Sequence, residues 1–154
     1  LVVDQRVYAG NRDGYFYVEH VARAQMDTGS RDKMMATIGV SDYEACGPFM
    51  IWHQQDPGSA GVDSAKATNS ILADHKLRGN FEPVTGDKEV RAGPLASKAE
   101  SGRVRLVRGA WNDVFLEEMA AFPAGRFDDQ VDAASSAFNQ LLDMTRRSRE
   151  SRIL

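Results

Sequence analysis

The amino-acid sequence predicts an α/β domain built on a mixed sheet, and three observations carry that expectation. Two stretches rich in β-branched and aromatic residues open the chain on either side of a turn-forming segment. Helix-like and strand-like stretches then alternate, and two apolar stripes at helical spacing close the chain. A hairpin gives an antiparallel pair, while strands separated by helices run parallel, so the sheet holds both kinds of pairing.

The first pair is Leu1 to Ala9 and Tyr15 to Val21, joined through Gly10-Asn11-Arg12-Asp13-Gly14, whose glycines and Asn/Asp residues suit a hairpin loop. Ser30 to Ile38 predicts a short helix with Met34, Met35 and Ile38 on one side and Gly39 as its stop. The apolar run Phe49-Met50-Ile51-Trp52 suits a strand buried on both faces, and it sets Asp56 at the strand's carboxyl end. A helix follows from about Val62 to Leu77, offering Ala65, Ile71, Leu72 and Leu77 for packing, and then a strand at Phe81 to Val84. Lys88 to Ser101 is helical but broken or kinked at Gly93-Pro94, because proline lacks the N–H and clashes with the preceding turn. Arg103 to Arg108 alternates charged and apolar side chains, the pattern of a strand near a sheet edge; Arg103 and Arg105 read either as solvent gatekeepers or as phosphate contacts. Trp111, Val114, Phe115, Met119 and Phe122 form one helical stripe, and Val131, Ala134, Phe138, Leu141 and Leu142 form the other.

The length of 154 residues fits one domain, here expected over residues 1–145, and residues 146–154 are expected to form a flexible basic tail with Arg146, Arg147, Arg149 and Arg152 but no apolar stripe. The composition is 42% hydrophobic and 27% charged with no run long enough to span a bilayer, so a soluble domain is expected. The single Cys46 excludes an internal disulfide and reads as a small buried filler. His20, His53 and His75 have no zinc-helix spacing and read as structural or surface groups, and no phosphate loop or nucleophile elbow is present. Gly58-Ser59-Ala60-Gly61 reads as a tight turn. A net charge of −3 argues mildly against nucleic acid, so any such contact must come from local basic patches.

The chemistry-bearing segment is Asp128-Asp129-Gln130-Val131-Asp132, at the mouth of a helix started by the turn Phe122 to Phe127. Positions three and four apart share a helix face, so Asp132 lies above Asp128 or Asp129. Two readings are open: the acids complement the positive end of the helix dipole, or they hold a divalent cation through hard oxygen ligands. Asp56, at a strand's carboxyl end where α/β sheets place their sites, favours the second, and Asp4 on the first strand is a further acid of the same kind.

Several segments in this order resemble the carboxyl-terminal nuclease domain of tailed-phage terminase large subunits: Gln55-Asp56-Pro57-Gly58-Ser59-Ala60-Gly61, Thr85 to Ala92, Gly102 to Val107 with Trp111-Asn112-Asp113, and Phe122 to Ala133. The resemblance implies a ribonuclease H-like fold with a mixed central β-sheet flanked by α-helices. It implies two bound Mg2+ or Mn2+ ions, with Asp56 as the acid after the middle strand, Asp129 as the acid of the last helix, and Asp128 and Asp132 as neighbours that ligate or orient. Lys88 and Arg91 match basic positions expected on DNA phosphates, beside Arg103 and Arg105. The first family acid is either Asp4 or a residue upstream of residue 1. The function so implied is a two-metal endonuclease domain that cuts concatemeric viral DNA during genome packaging. Its expected partners are double-stranded viral DNA, an ATPase motor domain on the same full-length protein, the portal and the small terminase subunit, with no membrane, in the host cell cytoplasm. The alternative is a catalytically incomplete docking module of the same motor.

Overall fold

A computed structural model describes the backbone of residues 2–9 and 14–150 and the side chains of residues 14–145. In chain order the elements are β1 (Val2–Ala9), β2 (Phe16–Ala24), α1 (Thr28–Cys46), β3 (Met50–Gln55), α2 (Ser59–Asp74), β4 (Arg78–Pro83), α3 (Lys88–Glu100), β5 (Val104–Leu106), α4 (Asn112–Ala121) and α5 (Asp129–Glu150). The chain divides into two compact units, Leu1–Ala24 with Gly86–Leu154 as unit 1, and Gln25–Thr85 as unit 2. Among the described residues no helix is long and apolar enough to cross a membrane.

Unit 1 holds a three-stranded sheet in the order β1-β2-β5. β1 and β2 pair antiparallel, as the hairpin loop predicts, and β5 joins β2 in parallel at an edge, as its alternating pattern predicts. The β1–β2 register shifts between Arg6 opposite His20 and Val7 opposite Val18, leaving Glu19 as the extra residue of a bulge. That bulge resets the pleat, so Phe16, Val18 and Val21 all bury although Val18 and Val21 are an odd number of positions apart. They pack with Leu95 of α3, Phe115 of α4, and Ala134 and Phe138 of α5. The Phe16 and Phe138 rings meet with centroids 4.6 Å apart at 59°. Both closing stripes therefore reach the core, although Val114 stays exposed.

Unit 2 is a β3-α2-β4 crossover with α1 beside it, and β3 and β4 pair in parallel from Met50 opposite Arg78 to Gln55 opposite Pro83. The expectation of one mixed central sheet is thus corrected: among the described residues there is a small mixed sheet and a separate two-stranded one. β3 is half-exposed along its length, and not buried on both faces, because its ladder is with β4 alone. α1 runs through Gly39 to Cys46, longer than the short helix expected, for a packing reason. A Cβ on Gly39 would lie 2.7 Å from Leu77 Cδ1 and 3.0 Å from Ile51 Cδ1, so the glycine makes room for neighbours and does not stop the helix. The helix starts at Asp27, whose carboxylate accepts from the Ser30 N–H at 2.9 Å, and ends at Gly47 with φ 80°. Cys46 is exposed, contrary to its reading as buried filler. α3 is one helix with Pro94 inside it, and α5 continues as helix to Glu150, through the first part of the basic tail.

Candidate functional site

The amino end of α5 is held by a buried acid that the sequence reading passed over. Glu118 of α4 is 7% exposed; its Oε1 accepts from the Gln130 backbone N–H and its Oε2 from Gln130 Nε2, each at 2.6 Å. The Arg23 guanidinium stands 3.9 Å from the same Oε2. A buried carboxylate is costly unless its oxygens find donors, and here both do, at the positive end of a helix. The glutamine between the acids of the Asp-Asp-Gln-Val-Asp run was the available signal, an uncharged polar residue within the acids that the structure finds buried while the three aspartates are only partly so.

Around that fixed end the acids sort into two kinds. Lys88 Nζ donates to Asp128 Oδ2 at 2.6 Å and lies 3.3 Å from Asp132 Oδ2, while Arg91 Nη2 donates to Asp132 Oδ1 at 2.7 Å. Arg91 is fixed in turn, its Nη1 donating to the Gly86 carbonyl at 2.9 Å and its own carbonyl accepting from Asn139 Nδ2 at 3.1 Å. The hydrogen bond to Asp128 raises the Lys88 pKa, with the Asp132 charge adding to it. These bases neutralise Asp128 and Asp132, and they tie the first turn of α3 to the first turn of α5. Asp129 is half-buried and, among the described residues, has no hydrogen-bond or ion-pair partner. Lys88 and Arg91, expected on phosphates, are thus occupied by carboxylates.

In unit 2, Asp56 lies directly after β3, as expected, and its side chain is exposed with no partner among the described residues. The first turn of α2 presses against it: a Cβ on Gly61 would collide with the Asp56 carbonyl, and Gly58 at φ 88° makes the turn that precedes the helix. Deeper in this unit, Asp32 is buried; its Oδ1 lies 2.8 Å from Arg31 Nη2 and accepts from Thr68 Oγ1 at 3.2 Å, a link between α1 and α2 that the sequence did not announce. His53 Nε2 lies 2.9 Å from Asn69 Oδ1, in keeping with a structural histidine.

Of the other expected site residues, Asp4 stands on β1 opposite Ala22, but its side chain lies outside the described residues. Arg103 directly precedes β5 and Arg105 is its middle residue, their guanidinium carbons 5.1 and 4.4 Å from the Tyr15 ring centroid. A second arginine–aromatic stack went unread in the sequence: Arg23 and Arg126 lie 5.3 and 5.1 Å from the centroid of Phe127, just before the acids. Among the described residues no group of three or more His, Cys, Asp or Glu comes together to hold a metal. The donor chemistry of Asp129 and that of Asp56, each an open carboxylate, fits a hard divalent ion, whereas Asp128 and Asp132 are paired with Lys88 and Arg91.

A family model described as a terminase RNaseH-like domain matches residues 7–141. The match spans the turn, the acidic start of α5 and the Gly-Asp-Lys segment that carries Lys88. Among curated proteins, none matches the chain.

Proposed function

We propose that this chain, which belongs to the terminase RNaseH-like domain family, is a metal-dependent endonuclease that cuts concatemeric viral DNA during genome packaging. The observation that carries the reading is Asp129: the α5 start is built and anchored, its other acids are neutralised, and this one carboxylate is left without a counter-charge among the described residues. A carboxylate held at a fixed position with no basic side chain upon it, among the described residues, is open to a cationic ligand.

Magnesium or manganese, when bound, supplies the Lewis acid and the lowered water pKa that phosphodiester hydrolysis needs. The chain's own residues supply the rest. Asp129 offers an oxygen donor in unit 1, and Asp56 and Asp4 are the further acids that the family resemblance implies. Glu118 fixes the first turn of α5 through Gln130, so that Asp129 does not swing. Lys88 and Arg91 hold Asp128 and Asp132 as positioning groups. Arg103 and Arg105, exposed just before and on the edge strand β5, are suited to phosphates, which position a duplex without reading its sequence. Double-stranded viral DNA, an ATPase motor domain of the same full-length protein, the portal and the small terminase subunit are the proposed partners, in the host cell cytoplasm.

The neutralised state of Asp128 and Asp132 favours a second reading, a docking module that keeps the fold without the chemistry. Incubation of supercoiled plasmid with the full chain in manganese, magnesium or EDTA separates the two. The nuclease reading expects metal-dependent nicking that Asp56→Asn removes; a folded protein that leaves plasmid intact in either metal supports docking instead.

A further inference from the structure

We infer that the Arg23–Phe127–Arg126 stack grips the DNA backbone beside the acidic start of α5, an assignment that rests on the nuclease reading for its ligand. Two guanidinium groups lie 5.3 and 5.1 Å from the centroid of one phenyl ring. Phe127 is 47% exposed, so the ring offers its remaining surface to solvent. Like charges gathered on one ring repel each other, and an anion bound across them removes that cost. Arg126 is exposed, with no carboxylate partner among the described residues. Arg23 has only the distant Glu118 oxygen, which Gln130 Nε2 already occupies.

The placement also selects the ligand. Arg126 and Phe127 immediately precede Asp128 and Asp129, and the anchor of Glu118 on Gln130 fixes the segment that carries them. The bases on the other side of the acids, Lys88 and Arg91, are committed to Asp128 and Asp132, so among the described residues Arg23 and Arg126 are the cations beside the acids that are open to a phosphodiester. A guanidinium pair suits phosphate oxygens, and an exposed ring between them suits the flat face of a sugar or base.

Fluorescence anisotropy of a labelled short DNA duplex with the full chain in EDTA tests this without requiring catalysis. Arg126→Gln is expected to weaken binding threefold or more and to lower the slope of log affinity against log salt by about one. Phe127→Ala is expected to weaken binding by a similar factor. Lys66→Gln removes the same charge from an exposed position on α2 and serves as the reference. Losses for Arg126→Gln and Phe127→Ala no greater than for Lys66→Gln overturn the inference, as does absence of duplex binding by the unaltered chain. Because Arg126 is exposed and stacks on an exposed ring, Arg126→Gln is expected to keep the melting temperature, and Arg126→Lys is expected to restore the salt slope. Duplex bound in EDTA but never cut in metal overturns the nuclease reading and leaves this inference standing.

Discussion

Unit 1 buries aromatic and aliphatic side chains from four elements around Phe138, whereas the core of unit 2 among the described residues gathers around Ala36, Leu72 and Leu77. Unit 2 compensates with polar links: the Asp32, Arg31 and Thr68 network and the His53 and Asn69 contact join its elements. In unit 1, among the described residues, the buried carboxylate and the ion pairs that join separate helices gather at the start of α5, where Glu118, Lys88 and Arg91 meet its acids and Gln130. Hydrophobic burial is non-directional, so it holds a fold without fixing any one atom; charge-assisted hydrogen bonds fix positions. The contrast teaches that the polar links of unit 2 serve mainly the fold, while those of unit 1 serve mainly a site.

The largest expected effect is Phe138→Ala, which deletes a fully buried ring and costs about 3–5 kcal/mol in denaturant unfolding. Leu72→Ala is its counterpart in unit 2 and costs about 2–5 kcal/mol; hydrogen exchange after that change is expected to speed up in residues 25–85 first. Next comes Gly61→Ala, where the obstacle is backbone and cannot step aside, at about 1–3 kcal/mol. Uniform loss of protection over both units after Leu72→Ala would erase the distinction drawn here.

Asp132→Asn sharpens the comparison from the other side. It breaks the Arg91 pairing and weakens the hold of Lys88, at about 1 kcal/mol for a partly exposed network, and the loss is expected to shrink at high salt. The pH dependence has a definite sign. Hydrogen bonding to Asp128 raises the folded-state pKa of Lys88, so its contribution is whole below the ordinary lysine value and is lost as the pH climbs through the raised one. The difference in melting temperature between the unaltered chain and Lys88→Met is therefore expected to be steady near neutrality and to close only at strongly alkaline pH.

Elements with strong local signals were legible in the sequence. The β1–β2 hairpin, the edge placement of β5, the two closing helices and the position of Asp56 after β3 all rest on short-range patterns that tertiary packing did not override. Gly39 misled because a glycine that ends a helix and a glycine that admits Leu77 look identical in one dimension. The split of the sheet was not legible, since β3 reads as an apolar run whether one ladder or two flank it. At the site, the clustering of Asp128 and Asp132 was readable from helical spacing, but their neutralisation was not. It depends on Lys88 and Arg91, some forty residues away, lying across from them on α3. Glu118 was missed for the same reason, its partner being set by how α4 and α5 meet; Arg126 stacks on its own chain neighbour Phe127, and what could not be read was Arg23 of β2 on the same ring.

The most direct test of the central claim pairs Asp129→Asn with Asp132→Asn, each measured for metal-dependent plasmid cutting and for melting temperature. The account predicts that Asp129→Asn abolishes cutting while changing stability by no more than about 1 kcal/mol, because the carboxylate has no ion-pair partner among the described residues and only the helix dipole to lose. It predicts that Asp132→Asn lowers stability and leaves measurable cutting. Full cutting by Asp129→Asn, with Asp132→Asn inactive though folded, would contradict it and place the chemistry on the carboxylate that Lys88 and Arg91 now hold.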